Sequence, residues 1–349
     1  MPEKEVSCLL FLLSACSGAR GPREVRGPGA ADAGLPPPPA QIVVAEHAYA
    51  GARLVLIDEH GRRVRELTDE PSTPSVDVTP AISPDGRLIA FASSRGRDQP
   101  ADTSLWIVGM AGDVPPARLT TGDGVDLTPA FAPDGRRLAF ASTRGGGLDL
   151  WILELEPGAG GLPAAGALRR LTDAPASEFQ PAWSPDGELI AFTSASGKDA
   201  TVRLIRPDGS GGRELVSGSA PVFARDGASL LFSAAGDARS DQDLWSIGLD
   251  GERRRRLTDA ANSDEIMPRL SRDGRFLFAT AIVRNDAGRA LLSTVVCLDL
   301  ADPSAGLRAL QETIPTSRNG ADVGPAPLDA EALRANPPYA EAVRRVLVQ

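Results

Sequence analysis

Four carboxylates occupy one recurring place in this chain, three residues ahead of a proline: Asp77 (Pro80), Asp126 (Pro129), Glu178 (Pro181) and Glu265 (Pro268). A fifth proline, Pro221, has Gly218 at that position. Two arginines recur with them, Arg95 after Ser93-Ser94 and Arg144 after Ser142-Thr143. Acids gathered in one place can accept backbone amides, pair with guanidinium groups, hold a cation or receive a basic segment of another chain. Other chemistry is thin. Two histidines, His47 and His60, and three cysteines, Cys8, Cys16 and Cys297, are scattered without zinc-ligand spacing, so no metal and no other cofactor is expected. No Gly-x-Ser-x-Gly elbow occurs, and the histidines read as surface or turn residues, so catalysis is not expected. The net charge of −9 and the lack of a basic stripe with interleaved aromatics argue against a nucleic-acid partner.

The acids belong to a repeat. A small-x-Asp-Gly turn occurs five times: Ser83-Pro84-Asp85-Gly86, Ala132-Pro133-Asp134-Gly135, Ser184-Pro185-Asp186-Gly187, Ala224-Arg225-Asp226-Gly227 and Ser271-Arg272-Asp273-Gly274. The Asp residues are 49, 52, 40 and 47 positions apart, a period of supersecondary units that cannot bury their own apolar faces. In the second unit, Thr128–Phe131 leads into the turn, Arg137–Ser142 and Leu148–Leu153 read as strands, and Arg170-Leu171-Thr172 closes it. Four short strands per unit predict an all-β chain, a propeller rather than a helical solenoid.

Six closing strands face five Asp-Gly turns: Glu66-Leu67-Thr68, Arg118-Leu119-Thr120, Arg170-Leu171-Thr172, Glu214-Leu215-Val216, Arg256-Leu257-Thr258 and Arg308-Ala309-Leu310. The first unit (Gln41–Glu46, Arg53–Asp58, Arg63–Leu67) therefore lacks its innermost strand. Since an open ring exposes a sheet edge, a segment within Gln311–Pro327 is expected to fill the gap, giving six blades with one shared between the N- and C-terminal segments.

The wording of the repeat resembles the TolB-like propeller family. Leu171-Thr172-Asp173 with Pro181-Ala182-Trp183-Ser184-Pro185-Asp186-Gly187, and Ser142-Thr143-Arg144, match its pattern. The resemblance covers about residues 64–310 and implies the fold; such propellers serve as periplasmic protein-interaction modules and as the non-catalytic half of some peptidases. The units of Asp226 and Asp273 depart from the pattern, with Arg in place of Pro, and Val216 stands in the place of one closing Thr.

At the N-terminus, Leu9-Leu10-Phe11-Leu12-Leu13-Ser14-Ala15-Cys16 resembles a bacterial lipoprotein cleavage box, which makes Cys16 the lipid-attachment residue and 1–16 a signal peptide. Met1–Glu5 carries net negative charge where such leaders are usually positive. Residues 17–40, rich in Gly, Pro and Ala, suit a tether. The expected order is then tether, propeller over 41–327, and a tail over 328–349 with a short helix near Tyr339–Val348.

Each inner strand should start at one face of the disk, where the second strand of the blade ends. Asp77, Asp126, Glu178 and Glu265 should therefore ring one channel mouth, with Arg95 and Arg144 beside the first two. Two readings stay open: a structural one, in which each acid binds its own crossover or its blade's arginine, and a functional one, in which the ring receives a cation or basic peptide. The expected mouth is lopsided, neutralised at Asp77 and Asp126 and acidic and open around Glu178 and Glu265. Trp106, Trp151 and Trp245 share one repeat position and read as inter-blade core, while the Arg253–Arg256 run reads as solvated. The resemblances and the missing catalytic groups together imply a monomeric, lipid-anchored envelope propeller of a Gram-negative-type bacterium. It would sit on the periplasmic side of the outer membrane and bind another envelope protein or peptide segment without catalysis. The alternative is a carbohydrate- or peptide-processing enzyme with its site in the channel.

Overall fold

A computed structural model describes residues 13–16, 41–48, 51–58, 63–68, 75–96, 102–236, 241–260, 263–284, 290–303 and 306–309. Their regular structure is β-strand, apart from one 3-10 turn at Ala159–Gly161. No helix among them is long and apolar enough to cross a membrane.

The strands fall into antiparallel sets of four, each an up-and-down meander. The first is β1 (Leu13–Cys16), β2 (Gln41–Ala48), β3 (Gly51–Ile57) and β4 (Arg63–Glu66). The second is β5 (Ser75–Ile82), β6 (Leu88–Ser93), β7 (Ser104–Gly109) and β8 (Ala117–Arg118). A parallel bridge, Gly51↔Ser75 and Ala52↔Val76, joins these two into one eight-stranded sheet. Four separate sheets follow: β9 (Asp126–Phe131) to β12 (Ala164–Arg170) through β10 (Arg137–Ser142) and β11 (Asp149–Glu156); β13 (Ser177–Trp183), β14 (Ile190–Ser196), β15 (Asp199–Ile205) and β16 (Arg213–Ser217); β17 (Ser219–Phe223), β18 (Ser229–Ala235), β19 (Gln242–Gly248) and β20 (Arg255–Arg256); β21 (Ser263–Leu270), β22 (Phe276–Arg284), β23 (Ala290–Asp299) and β24 (Arg308–Ala309).

The first unit has the three strands expected of it, and its innermost strand comes from an unexpected place. Leu13–Cys16, read from the sequence as the end of a leader, pairs with Gln41–Val44. The expected donor within Gln311–Pro327 lies outside the described residues, as does Tyr339–Val348.

The core lies between sheets. Phe140 of the third set packs with Ala90, Leu105 and Ile107 of the second. Phe192 of the fourth packs with Ala139, Leu150 and Ile152 of the third. The last set returns to the first, where Phe278, Val295 and Cys297 pack on Ile42, Val55 and Ile57. Burying one apolar face of each sheet against the next is what lets such short strands persist.

The Asp-Gly turns also touch in sequence. Gly187 has a φ of 76°, and a Cβ there would sit 3.3 Å from Pro133 of the preceding turn, so glycine is required by both backbone and space. The Ser184 hydroxyl and the Glu188 amide both donate to Asp186 and hold its carboxyl below the usual range. Arg225 Nη1 donates to the Arg272 carbonyl at 2.8 Å, and Arg272 Nη1 reaches the Asp85 carbonyl at 3.5 Å, linking the fifth turn to the first.

Candidate functional site

One backbone feature repeats in every proline-containing inner strand. The residue before the proline has positive φ: Thr79 (54°), Thr128 (49°), Gln180 (54°), Ala220 (52°) and Met267 (57°). The ladder slips there in each case, between Val78 and Ala81 in the second set for example. This is a β-bulge held against the conformational preference of a pre-proline residue. It turns the bulge side chain toward the next inner strand. Thr128 N–H donates to Thr79 Oγ1 (3.2 Å) and Gln180 N–H to Thr128 Oγ1 (3.1 Å); Ala220 N–H donates to Thr193 Oγ1 (2.9 Å), whose hydroxyl donates to Gln180 Oε1 (2.9 Å). The acids, two residues earlier, therefore follow one another around the same end of the inner strands.

Asp77 and Asp126 are paired as the sequence suggested. Asp77, fully buried, accepts from Ser93 Oγ (2.6 Å) and from Arg95 Nε (3.0 Å) and Nη2 (2.5 Å). Asp126 accepts from Ser142 Oγ (2.6 Å), Thr120 Oγ1 (2.5 Å) and Arg144 Nη2 (2.6 Å). Buried charges of this kind need such full satisfaction to persist.

Glu178 and Glu265 differ from expectation. Neither has an arginine in its own sheet at the Arg95 position, as the sequence predicted. Both side chains are nevertheless buried, at 2% and 0% exposure, and not open to solvent. The reason lies in the preceding sheet. Thr258 Oγ1 donates to Glu265 Oε2 at 3.2 Å, and Thr172 hydrogen-bonds Glu178. Beside each stands a second buried carboxylate, Asp243 or Asp149, at the head of the preceding sheet's third strand. Asp149 pairs with Arg170 (2.7 Å) and Asp243 with Arg256 (2.6 Å), and those arginines also reach Asp173 and Asp259.

Burial, reinforced by these neighbours, moves the carboxyls up. Desolvation raises Glu265 to about 7, with Asp243 and Asp264 adding to the rise. Desolvation and then Asp149 raise Glu178 against the Thr172 bond, and desolvation raises Asp243. Glu265 Oε1, Glu178 Oε2 and Asp243 Oδ1 have no hydrogen-bond partner among the described residues. No group of three or more His, Cys, Asp or Glu among those residues could hold a metal ion.

Sequence reasoning missed Asp149, Asp243, Arg170 and Arg256. A signal was present: Asp-Leu-Trp with Arg-Leu-Thr-Asp occurs as Asp149–Trp151 with Arg170–Asp173 and again as Asp243–Trp245 with Arg256–Asp259. Each pair precedes a unit whose inner acid is Glu. In the second set, Ser104 and Thr121 stand at those places and the following acid is Asp126. In the Arg253–Arg256 run, Arg253, Arg254 and Arg255 are exposed, as expected, and Arg256 is half-buried. Arg254 lies 4.3 Å over the Trp245 ring, and Arg256 belongs to the acid pair. Trp106 and Trp151 sit against inter-sheet core clusters, as expected. At the fifth acid position, a Cβ on Gly218 would lie 2.7 Å from Phe232, so no carboxylate fits.

No family profile matches the chain, and no curated protein does. Among solved structures, it resembles a protein assigned as TolB from Agrobacterium tumefaciens, at 20% identity and a TM-score of 0.55 over 71% of this chain and 83% of that one. A puromycin-hydrolysing peptidase from Mycobacterium tuberculosis matches at 16% identity and 0.54, over 78% of this chain but only 42% of the peptidase. An oligogalacturonate lyase solved with manganese matches at 14% identity and 0.52, over 83% and 77%. What these likenesses share with the chain is the fold, a TolB-like β-propeller of four-stranded antiparallel blades.

Proposed function

We propose that the chain is a six-bladed propeller of the cell envelope, ring-closed and lipid-anchored at Cys16, that binds another envelope protein or peptide segment without catalysis through the mouth where its inner strands begin. The tether over 17–40, the periplasmic face of the outer membrane and the monomeric state belong to the same reading. The observation that carries it is the use of the mouth's acids: Asp77, Asp126, Arg95 and Arg144 are consumed in hydrogen bonds that frame the mouth. Such a frame is a rigid support for surrounding loops, which is what a binding face needs. The return of the last sheet onto the first, and the link from Arg272 to Asp85, support the six-bladed closure. The TolB likeness carries the fold.

A second reading has one specific observation in its favour. Glu265, raised to about 7 by burial beside Asp243, keeps its proton near neutral pH, the protonation state that a general acid in a carbohydrate- or peptide-processing channel site would need. In-cell crosslinking of the full-length protein beside a Cys16→Ser form, with membrane fractionation, decides between them. The binding reading expects one envelope protein enriched only with the anchored form. A soluble wild-type protein with no enriched partner overturns it and turns attention to small ligands of the channel.

A further inference from the structure

The last sheet puts an arginine where the others put alanine or valine. The residue after the bulge proline is Ala81, Ala130, Ala182 and Val222 in β5, β9, β13 and β17, and Arg269 in β21. Each faces the second strand of its sheet in one register: Ala81↔Ala90, Ala130↔Ala139, Ala182↔Ala191, Val222↔Leu231 and Arg269↔Phe278. Residues opposite one another share a face of the sheet, and Phe278 packs on Ile42, Val55 and Ile57 of the first set. Arg269 is therefore a cation on the face that the other sheets fill with a small apolar group. The remaining ionisable side chains of these five inner strands are all acids: Asp77, Asp126, Glu178, Asp264 and Glu265.

Nothing described around Arg269 neutralises it. Its Nη1 donates to the Pro268 carbonyl at 2.9 Å, and no carboxylate among the described residues pairs with it. The side chain keeps accessible surface, yet it lies deep enough for desolvation to pull it down to about 10. A group that is both accessible and deep lines an internal opening, and a guanidinium there stays charged at neutral pH. A buried charge without a counter-charge is costly, so such a place favours an anion. Two further arginines stand at the end where the inner strands finish. Arg225 and Arg272 are exposed and take the turn position held elsewhere by Pro84, Pro133 and Pro185. Among the described residues each donates to a carbonyl and to no carboxylate, Arg225 to Arg272 (2.8 Å) and Arg272 to Asp85 (3.5 Å). The two departures from the turn pattern thus set guanidinium groups beside the strand that carries Arg269.

We infer that Arg269 anchors a carboxylate-binding subsite at the inner edge of the last sheet, entered from the end of the Asp-Gly turns past Arg225 and Arg272. The planar fork of a guanidinium matches two oxygens of a carboxylate or of a phosphate. Charge at the entrance separates these two. Against desolvation, Ser83 and the Arg87 amide hold Asp85 below the ordinary carboxylate range, and Ser271 and the Arg275 amide do the same for Asp273. Acids kept ionised beside the entrance repel a phosphate dianion more than a singly charged carboxylate. One guanidinium also balances one carboxylate. The subsite lies at the opposite end of the inner strands from Asp77, Asp126, Glu178 and Glu265, and it stands independently of any partner bound there.

Saturation-transfer-difference NMR on the full chain, with sodium propionate as the probe, tests this. The wild type should transfer saturation to propionate in a saturable way, and acetate should displace it better than phosphate at equal ionic strength. Arg269→Ala installs the residue that three other sheets carry, so it should fold, as strand circular dichroism and cooperative urea unfolding will show. It should weaken propionate binding by about tenfold or more. Arg269→Lys should keep part of the binding, because an ammonium retains the charge and loses the fork. Arg136→Ala, at an exposed place in another turn, should leave binding unchanged. No transfer from the wild type, or undiminished transfer from folded Arg269→Ala, overturns the subsite. Phosphate displacing propionate better than acetate overturns the carboxylate assignment. An N-acetylated dipeptide in acid and amide forms separates the sources of the carboxylate. Tighter binding of the acid than of propionate, with the amide silent, points to a chain terminus; weaker binding of the acid points to a free organic acid.

Discussion

Glu265 carries the most distinctive local chemistry. Its carboxyl is buried, shares its surroundings with Asp243 and Asp264, and is raised from 4.5 to about 7. A carboxyl that holds its proton more tightly folded than unfolded stabilises the fold fully below the unfolded value of 4.5. That contribution is lost as pH rises through about 7. It should amount to about 1–3 kcal/mol. Glu265→Gln keeps the shape and stays neutral, so the variant should match the wild type near pH 4.5 and exceed it in urea midpoint at pH 8. Glu178 and Asp243 are also raised and remain in the variant, so its residual slope keeps the same sign. Asp186 is lowered, and its contribution is lost only as pH falls below the ordinary carboxylate range, a separate window. Urea midpoints measured across pH 4.5 to 8 that run parallel for the two proteins would refute this assignment.

Within each element, the closing threonine explains why Leu-Thr recurs. Thr120 Oγ1 accepts the Leu105 N–H of its own sheet at 2.8 Å and donates to Asp126 of the next at 2.5 Å; Thr258 does the same between Leu244 and Glu265. Where the sequence has Val216, the next acid position is Gly218, so hydroxyl and acceptor vanish together. Thr120→Val should cost about 1–3 kcal/mol by leaving a buried amide and a buried carboxylate each short of a partner. Thr121→Val, at an exposed neighbour, should change the thermal midpoint little; equal losses from both would remove the threonine from this role. The strands and turns of the blades were legible because apolar runs and Asp-Gly turns act locally. The Asp77–Arg95 and Asp126–Arg144 pairs were legible because both partners lie in one repeat. The Glu178 and Glu265 surroundings were not, because their partners sit one unit earlier and appear only when repeats are compared across the boundary. β1 was hidden for another reason: four residues with no turn signal, separated from β2 by 17–40, carry no periodicity to read.

Across the whole molecule, the bulge-belt hydrogen bonds among the described residues link some sets and not others. The bulge belt runs from Thr79 through Thr128 and Gln180 to Ala220, tying the second through fifth sets together. Ser233, which follows Phe232 as Thr193 follows Phe192, is the next place for such a link, and its hydroxyl has no partner among the described residues. The last set meets the first through an apolar cluster and, at the inner edge, through the short β1. Sets fastened this way should open first outside the bulge belt, because local opening follows the sparsest set of cooperative interactions. Amide hydrogen exchange should therefore be faster in β2, β3 and β22 than in β10, β14 and β18. Removing one belt hydroxyl by Thr128→Val should raise exchange in β9 and β13 while leaving β22 unchanged. Uniform protection across the sets would mean that apolar packing alone sets their cooperativity, and that the bulge belt fixes geometry without deciding where the fold opens.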